Sequence, residues 1–148
     1  MKNKLVGFLN KTIKCTIKPS PIGGVGIFAI RDIKQGELLT EYTYDTLNLR
    51  KGFITLTRED FALLNTAIQN IILDRVLFVK GEELTFLNPN HDAYLKTFMN
   101  HSHTPNSDGD VAIIGIKEGE EITFDYNNNH LELDELTKQH MAFLNKTK

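Results

Sequence analysis

Residues 98–126 read FMNHSHTPNSDGDVAIIGIKEGEEITFDY, and this stretch constrains the chain more than any other. Asn100, His101, Ser102, His103 and Asn106 crowd together just after an apolar residue pair, and a β-forming run follows that ends in Phe124-Asp125-Tyr126. Polar side chains beside apolar strands are costly to bury unless each finds a partner. The stretch is therefore expected to form a closely hydrogen-bonded structural knot, a binding site, or both.

At 148 residues the chain is read as one domain, 1–148, long enough to bury a core without staples. The single cysteine, Cys15, excludes an internal disulfide and a cysteine-built zinc cluster. It suits a reducing environment, so a soluble intracellular protein is expected, cytoplasmic, or nuclear if the source is viral or eukaryotic. No apolar run approaches the ~20 residues of a membrane span. The apolar part of the N-terminal MKNKLVGFLN is broken too early for a signal peptide. A net charge of −2 argues against a general nucleic-acid footprint. Five lysines and no acid fall in residues 1–18, whereas seven acids and no Lys or Arg fall in 118–135. Two readings stand: a pair of solvated faces, or an acidic rim that attracts a basic substrate.

In chain order, residues 12–18 alternate and are β-branched, which predicts a strand stopped at Pro19-Ser20-Pro21. The glycines at 23, 24 and 26 let the backbone turn sharply or approach a ligand, and a second strand follows over Val25–Ile30. A Gly-x-Gly alone is more often a plain loop, and this one leads into a strand rather than the helix of a dinucleotide fold. Ile33-Lys34-Gln35-Gly36-Glu37 is a turn, repeated as Ile116-Lys117-Glu118-Gly119-Glu120. A strand is predicted over Leu38–Tyr44, with Tyr42 and Tyr44 on one face. Thr57 looks like the N-cap of a helix running to about Asp74, with Phe61, Leu64, Ile68, Ile71 and Ile72 at helical spacing. Val76–Lys80 and Leu84–Leu87 form a hairpin about Gly81, and Ala93–Met99 is a short helical turn. Asp108-Gly109-Asp110 is a turn rather than a calcium loop, because the later ligand positions hold no acids. Leu133, Leu136, His140, Phe143 and Leu144 suggest a C-terminal amphipathic helix. The sum is an α+β domain, mostly β, with one helical insert near 57–74.

Four elements now stand in one order: Gly-Gly-Val-Gly-Ile-Phe-Ala (23–29), Glu41-Tyr42, Asn-His-Ser-x-x-Pro-Asn (100–106) and Gly-Glu-Glu-Ile-Thr-Phe-Asp-Tyr (119–126). Together they resemble the SET-domain family of protein lysine methyltransferases, over roughly residues 12–127. The compact form, with no cysteine-rich flanks, is similar to the minimal SET proteins of viruses and bacteria. The resemblance implies a β-clip-like set of small curved sheets, with Asn100–Asn106 tucked under the loop around Gly119–Tyr126 in a pseudoknot.

It also implies S-adenosylmethionine as cofactor, approached by Gly24, Val25 and Gly26 through backbone groups and held by Asn100 and His101, with Tyr126 beside it. Tyr126 matches the family's principal catalytic residue, and Tyr42 a tyrosine that borders the transfer site. Phe124 occupies the position that sets methylation degree. Phenylalanine lacks a hydroxyl to trap a water and crowd the amine, so di- or trimethylation is expected. The substrate would be a basic protein such as a histone tail. Ser107 stands where many members have a zinc-binding cysteine, so no zinc is expected, and residues 127–148 would cover the lysine channel. Thr97 and Tyr44 replace an arginine and a glycine common in the family, and only twelve residues (107–118) separate Asn106 from Gly119, so a strand or two should be trimmed there. A minimal domain of this kind could also complete its channel as a homodimer.

The chemistry agrees with this reading on its own terms. A lysine amine, with a reference pKa near ~10.4, must lose its proton before it can attack a methyl group, and an apolar channel favours that loss. What remains is orientation, which a tyrosine hydroxyl and backbone carbonyls can supply. The plainer alternatives are that Tyr126 is a core tyrosine and that the domain is a degenerate SET-like module binding a peptide or cofactor without catalysis. His101 and His103, with His91, could be read as the ligands of a zinc or iron hydrolase, but no carboxylate or fourth ligand is suitably placed and the motif explains His101 better.

Overall fold

The computed structural model describes residues 2–41, 53–90 and 92–128. Tyr42 and Tyr44 lie outside the described residues, as do His91 and the predicted C-terminal helix. Helix α1 (Lys2–Thr12) leads into strands β1 (Cys15–Pro19) and β2 (Val25–Ala29). Strand β3 (Phe53–Thr57), helices α2 (Arg58–Ala62) and α3 (Thr66–Leu73), and strands β4 (Val76–Lys80) and β5 (Glu83–Leu87) follow. Helix α4 (Asp92–Phe98), the short β6 (Asn100–His101), β7 (Glu121–Phe124) and a 3-10 turn over Tyr126–Asn128 complete the described chain.

These strands form two sheets, one ordered β1-β2-β7-β6 and the other β3-β5-β4. The β6–β7 pairing is parallel, with Asn100 opposite Thr123 and His101 opposite Phe124, while the β1–β2 and β2–β7 pairings are antiparallel. The architecture is α+β and mostly β, as expected. The predicted hairpin about Gly81 is present, and β3 adds to it on the far side of β5. Leu84, Thr85 and Phe86 are all buried because β5 is the central strand of its sheet.

Four expectations change. The strand predicted over 12–18 begins only at Cys15, because residues 2–12 are helical and Thr12 closes that helix by donating from Oγ1 to the Phe8 carbonyl at 2.8 Å. Within a Lys- and Asn-rich segment, Val6, Leu9 and Ile13 recur at helical spacing, and all three are buried. The single helix over 57–74 is two. Thr57 does cap the first, accepting from the Asp60 amide, but the chain breaks at Leu63–Asn65, where Asn65 is extended (φ −58°, ψ 143°). The Gln69 side chain satisfies the break by donating to the carbonyls of Phe61 and Leu64 at 3.2 and 3.1 Å. Of the strand predicted over Leu38–Tyr44, the described part makes only an isolated bridge from Leu38 to Val111. Lys14, one of the lysines read as a possible solvated face, is 4% exposed, and its Nζ donates to the Leu38 carbonyl at 2.6 Å and pairs with Glu37 and Glu41 at 3.3 and 3.2 Å.

The two repeated turns pair with each other. Ile33 and Ile116 exchange backbone bonds of 2.7 and 2.8 Å, and Gly36 and Gly119 each have φ of 88°. Both glycines are needed for that left-handed backbone. The core has two parts. One joins α1 to α3 and the β3-β5 face, with Leu9, Ile72 and Phe86 fully enclosed. The other lies beneath β2 and β7, with Ile27, Ile116, Met99 and Ile122 enclosed. The second core carries the polar stretch on its edge.

Cys15 sits in that second core, its thiol 3.8 Å from the Leu39 carbonyl. Burial pushes the thiol up from 9.0 to about 12, against the opposing pull of Lys14 and Arg31. The folded thiol thus keeps its proton where an unfolded one loses it. Its contribution to stability is whole below pH 9 and declines as pH rises through the window to about 12. Native protein at pH 8 is expected to be inert to a chromogenic disulfide reagent, while urea-unfolded protein reacts with one thiol equivalent. Fast stoichiometric reaction of the native protein would contradict this burial.

Candidate functional site

The site forms where β2, β7 and β6 lie side by side. The Asn100–Asn106 segment docks along β7 largely through side chains. Asn106 donates from Nδ2 to the Glu121 carbonyl at 2.8 Å and accepts the Thr123 amide on Oδ1 at 3.0 Å. Ser107, at the family's cysteine position, is buried, and its hydroxyl donates to the Thr123 carbonyl at 2.8 Å. Asn106 and Ser107 thus find internal partners, which answers the cost of placing them beside a core.

The following residues return over the same strand. Asp108 accepts the amides of Asp110 and Val111 on one oxygen, each at 2.8 Å, and Gly109 takes φ of 98°. A Cβ at Gly109 would stand 3.8 Å from Phe124 Cδ2, so this turn packs on the Phe124 ring. Lys96 anchors the turn through a 2.6 Å contact with Asp110. Residues 107–118 make only single bridges, Ser107 to Ala112, Val111 to Leu38 and Ile116 to Ile33.

The structure brings together Gly24, Val25, Gly26, Asn100, His101, Phe124 and Tyr126. Asn100 Nδ2 faces the Val25 carbonyl at 3.0 Å, which ties the glycine loop to β6. Gly24 takes φ of 54°, and a Cβ at either Gly23 or Gly24 would meet nothing within 4 Å, so this side of the loop is open. Gly26 is different: a Cβ there would fall 2.2 Å from Glu121 Oε2. The His101 imidazole is 2% exposed and turned inward, its Nδ1 accepting the Tyr126 amide at 3.1 Å. An accepting Nδ1 carries no proton, so the 3.7 Å approach of Asp125 Oδ1 is not an ion pair. His101 thereby fixes where the Tyr126 backbone lies.

Tyr126 is half-buried, and its hydroxyl donates to the Met99 carbonyl at 2.7 Å. Its ring lies 5.0 Å from His101 and 4.8 Å from Phe124. Burial raises the phenol above its ordinary value of 10.0, so the hydroxyl is neutral across the physiological range. One hydrogen is committed to Met99, which leaves the oxygen as an acceptor.

Two corrections concern charged groups. A carboxylate does approach the histidine pair: ligand atoms of His101, His103 and Asp125 lie within 4.8 Å of one another, although His101 Nδ1 is taken by the Tyr126 amide and Asp125 also accepts from the Asn127 amide. Glu121 does not belong to a solvated acidic rim. It accepts from Ser20 Oγ at 2.7 and 2.8 Å and from Asn100 Nδ2 at 2.8 Å. Sequence reasoning missed both Ser20 and Glu121 as site residues. The signals were a serine held between two prolines and the second acid of the Gly-Glu-Glu turn.

A family model described as the SET domain matches residues 24–127. A curated relative from Plasmodium falciparum (isolate 3D7), the variant-silencing SET domain-containing protein, is 29% identical over 127 residues, which cover 78% of this chain and 5% of that protein. The present chain thus spans a small fraction of that relative's length. Among solved structures, Chaetomium thermophilum Polycomb Repressive Complex 2 bound to GSK126 matches with a TM-score of 0.38 and 20% identity, over 87% of this chain and 17% of that one. A structure described as ctPRC2 in an autoinhibited conformation bound to S-adenosylmethionine matches with a TM-score of 0.41 and 21% identity, over 89% and 17%. With the family model matched across well over half of its length, the chain belongs to the SET-domain family of protein lysine methyltransferases.

Proposed function

We propose that this chain transfers methyl groups from S-adenosylmethionine to a lysine ε-amine of a basic protein such as a histone tail, to the di- or trimethyl level. The observation that carries this reading is the placement of the Tyr126 hydroxyl. A neutral phenol, oriented by Met99 and flanked by Phe124 and His101, stands just past the end of β7, in the sheet that also carries Asn100 and follows the open glycine loop.

The residues present fit the cofactor. Gly24 and its neighbour Gly23 leave room over the loop, and Asn100 and Tyr126 offer oxygen acceptors to a ligand that carries only positive charge at its reacting centre. Backbone groups of Gly24, Val25 and Gly26, with Asn100 and His101, would hold it. When bound, S-adenosylmethionine supplies an electrophilic sulfonium methyl. The protein's part is to deliver a neutral amine in line with that methyl. An amine held against the packed rings of Phe124 and Tyr126 would be taken out of water, which disfavours the ammonium, and the Tyr126 oxygen would accept from the amine and aim its lone pair. Phe124 has no hydroxyl with which to hold a water in the amine's place. Tyr42, outside the described residues, would border this region if its motif role holds. The exposed acids Glu118 and Glu120 suit a lysine-rich substrate.

Incubation with radiolabelled S-adenosylmethionine and a panel of basic proteins tests the proposal. Label is expected on lysine. Tight cofactor binding without transfer to any acceptor would instead identify a binding module, and failure to bind the cofactor would overturn the proposal.

A further inference from the structure

Glu121 is a site carboxylate with no role in the reaction as described. It lies in β7 opposite Phe28, and its side chain reaches across β2 into the space above Gly26. There it accepts from two residues distant in sequence. Ser20 Oγ lies 2.7 and 2.8 Å from its two oxygens, and Asn100 Nδ2 lies 2.8 Å from Oε2. Ser20 also closes its own loop, because Oγ accepts the Ile22 amide at 3.0 Å and the Ser20 amide donates to the Gly24 carbonyl at 2.9 Å. One carboxylate therefore joins the glycine loop, β7 and β6.

The arrangement determines which way Asn100 faces. Its amide nitrogen stands among acceptors: Glu121 Oε2, the Val25 carbonyl at 3.0 Å and the Gly23 carbonyl at 3.5 Å. Two hydrogens are available for them, so the nitrogen is fully committed and the flip of the amide is fixed. The end left for a ligand is the carbonyl oxygen, an acceptor suited to a cationic donor. Gly26 is explained by the same contact. Its φ is not left-handed, unlike that of Gly24, yet a Cβ would lie 2.2 Å from Oε2 and 3.0 Å from Asn100 Nδ2. The second glycine of this Gly-x-Gly makes room for the carboxylate.

We infer that Glu121, clamped by Ser20, is the positioning residue of the cofactor groove: it holds the glycine loop against β7 and presents the Asn100 carbonyl oxygen to the ligand. The inference rests on the cofactor reading above. Glu121→Gln keeps the shape but sets an amide nitrogen against Ser20 or Asn100, and loses a charge-assisted bond. Affinity for S-adenosylmethionine, measured by calorimetric titration without acceptor protein, is expected to fall about tenfold, the effect of one such bond. Ser20→Ala, which removes the clamp and the loop bond to the Ile22 amide but keeps the carboxylate, should weaken binding by a smaller factor. In turnover the Glu121→Gln effect should fall on the cofactor KM more than on kcat, which a general loss of folded protein would not produce.

A second measurement needs no cofactor. Gly26→Ala should lower the melting temperature in the wild-type background and lower it much less beside Glu121→Ala, which removes the clashing atoms. Wild-type protein that binds while Glu121→Gln and Ser20→Ala bind equally well would overturn the role of Glu121 alone. Wild-type protein that does not bind would overturn the cofactor reading. Additive melting shifts for Gly26→Ala and Glu121→Ala would overturn the account of Gly26.

Discussion

Tyr126→Phe is expected to lower methyl transfer by about 10²-fold or more, the loss typical of removing one preorganised polar group from a reacting centre. Cofactor affinity should fall much less than transfer does, because one acceptor is lost while the ring and its contacts to His101 and Phe124 remain. Folding should weaken by about 1 kcal/mol, since the hydroxyl's bond to the Met99 carbonyl is lost at a half-buried position. A melting curve run beside the assay separates the two effects. The pH profile is the sharper readout. Burial holds the phenol above 10.0, so Tyr126 does not ionise between pH 7 and 9. Over that range kcat/KM should rise with pH as the substrate lysine, with a reference value near ~10.4, loses its proton. The Tyr126→Phe variant should show the same slope at a lower level. A variant with a flat profile would mean that the tyrosine removes the proton itself, and the orienting role would fall.

Asn106→Ala should produce the largest loss of stability among the polar residues of the site. Its side chain pairs with β7 as a neighbouring strand would, giving a donor to the Glu121 carbonyl and an acceptor to the Thr123 amide. Alanine leaves both backbone groups without those partners beside buried Ile122 and Thr123. At about 1–3 kcal/mol for each group left unsatisfied, the variant should lose roughly 2–6 kcal/mol. In a chain of this size that lowers the melting midpoint by roughly 5–20 °C. Activity should fall with it, because β7 leads directly to Tyr126 and carries Glu121 and Phe124. Calorimetry checks the midpoint. An unchanged value would show that the backbone bond from Ser107 to Thr123 suffices to hold the segment.

Much of the site was legible from residues 98–126. The crowded polar side chains required internal partners, and Asn106 and Ser107 have them on β7. Asn100, His101, Phe124 and Tyr126 converge as their motifs imply, and the repeated Gly36 and Gly119 turns take the same left-handed backbone. Local patterns carried these because the physical constraint is local: a glycine at positive φ, a cap three residues from its amide. The helix break at Leu63–Asn65 was not legible, since apolar spacing continues through it and only the Gln69 side chain reveals how it is tolerated.

The sequence by itself determined the turns, the family motifs and the identity of the groups that could act on a lysine amine. Only the tertiary structure decided what several charged residues do. Lys14 reads as part of a basic run until the fold sets it between Glu37 and Glu41. Glu121 reads as one acid of a rim until the fold brings Ser20, 101 residues away, within 2.7 Å. The reason is physical. Whether a charge is solvated or buried depends on which distant donors chain closure places around it, and a partner that far along the chain leaves no periodic trace in the residues beside it.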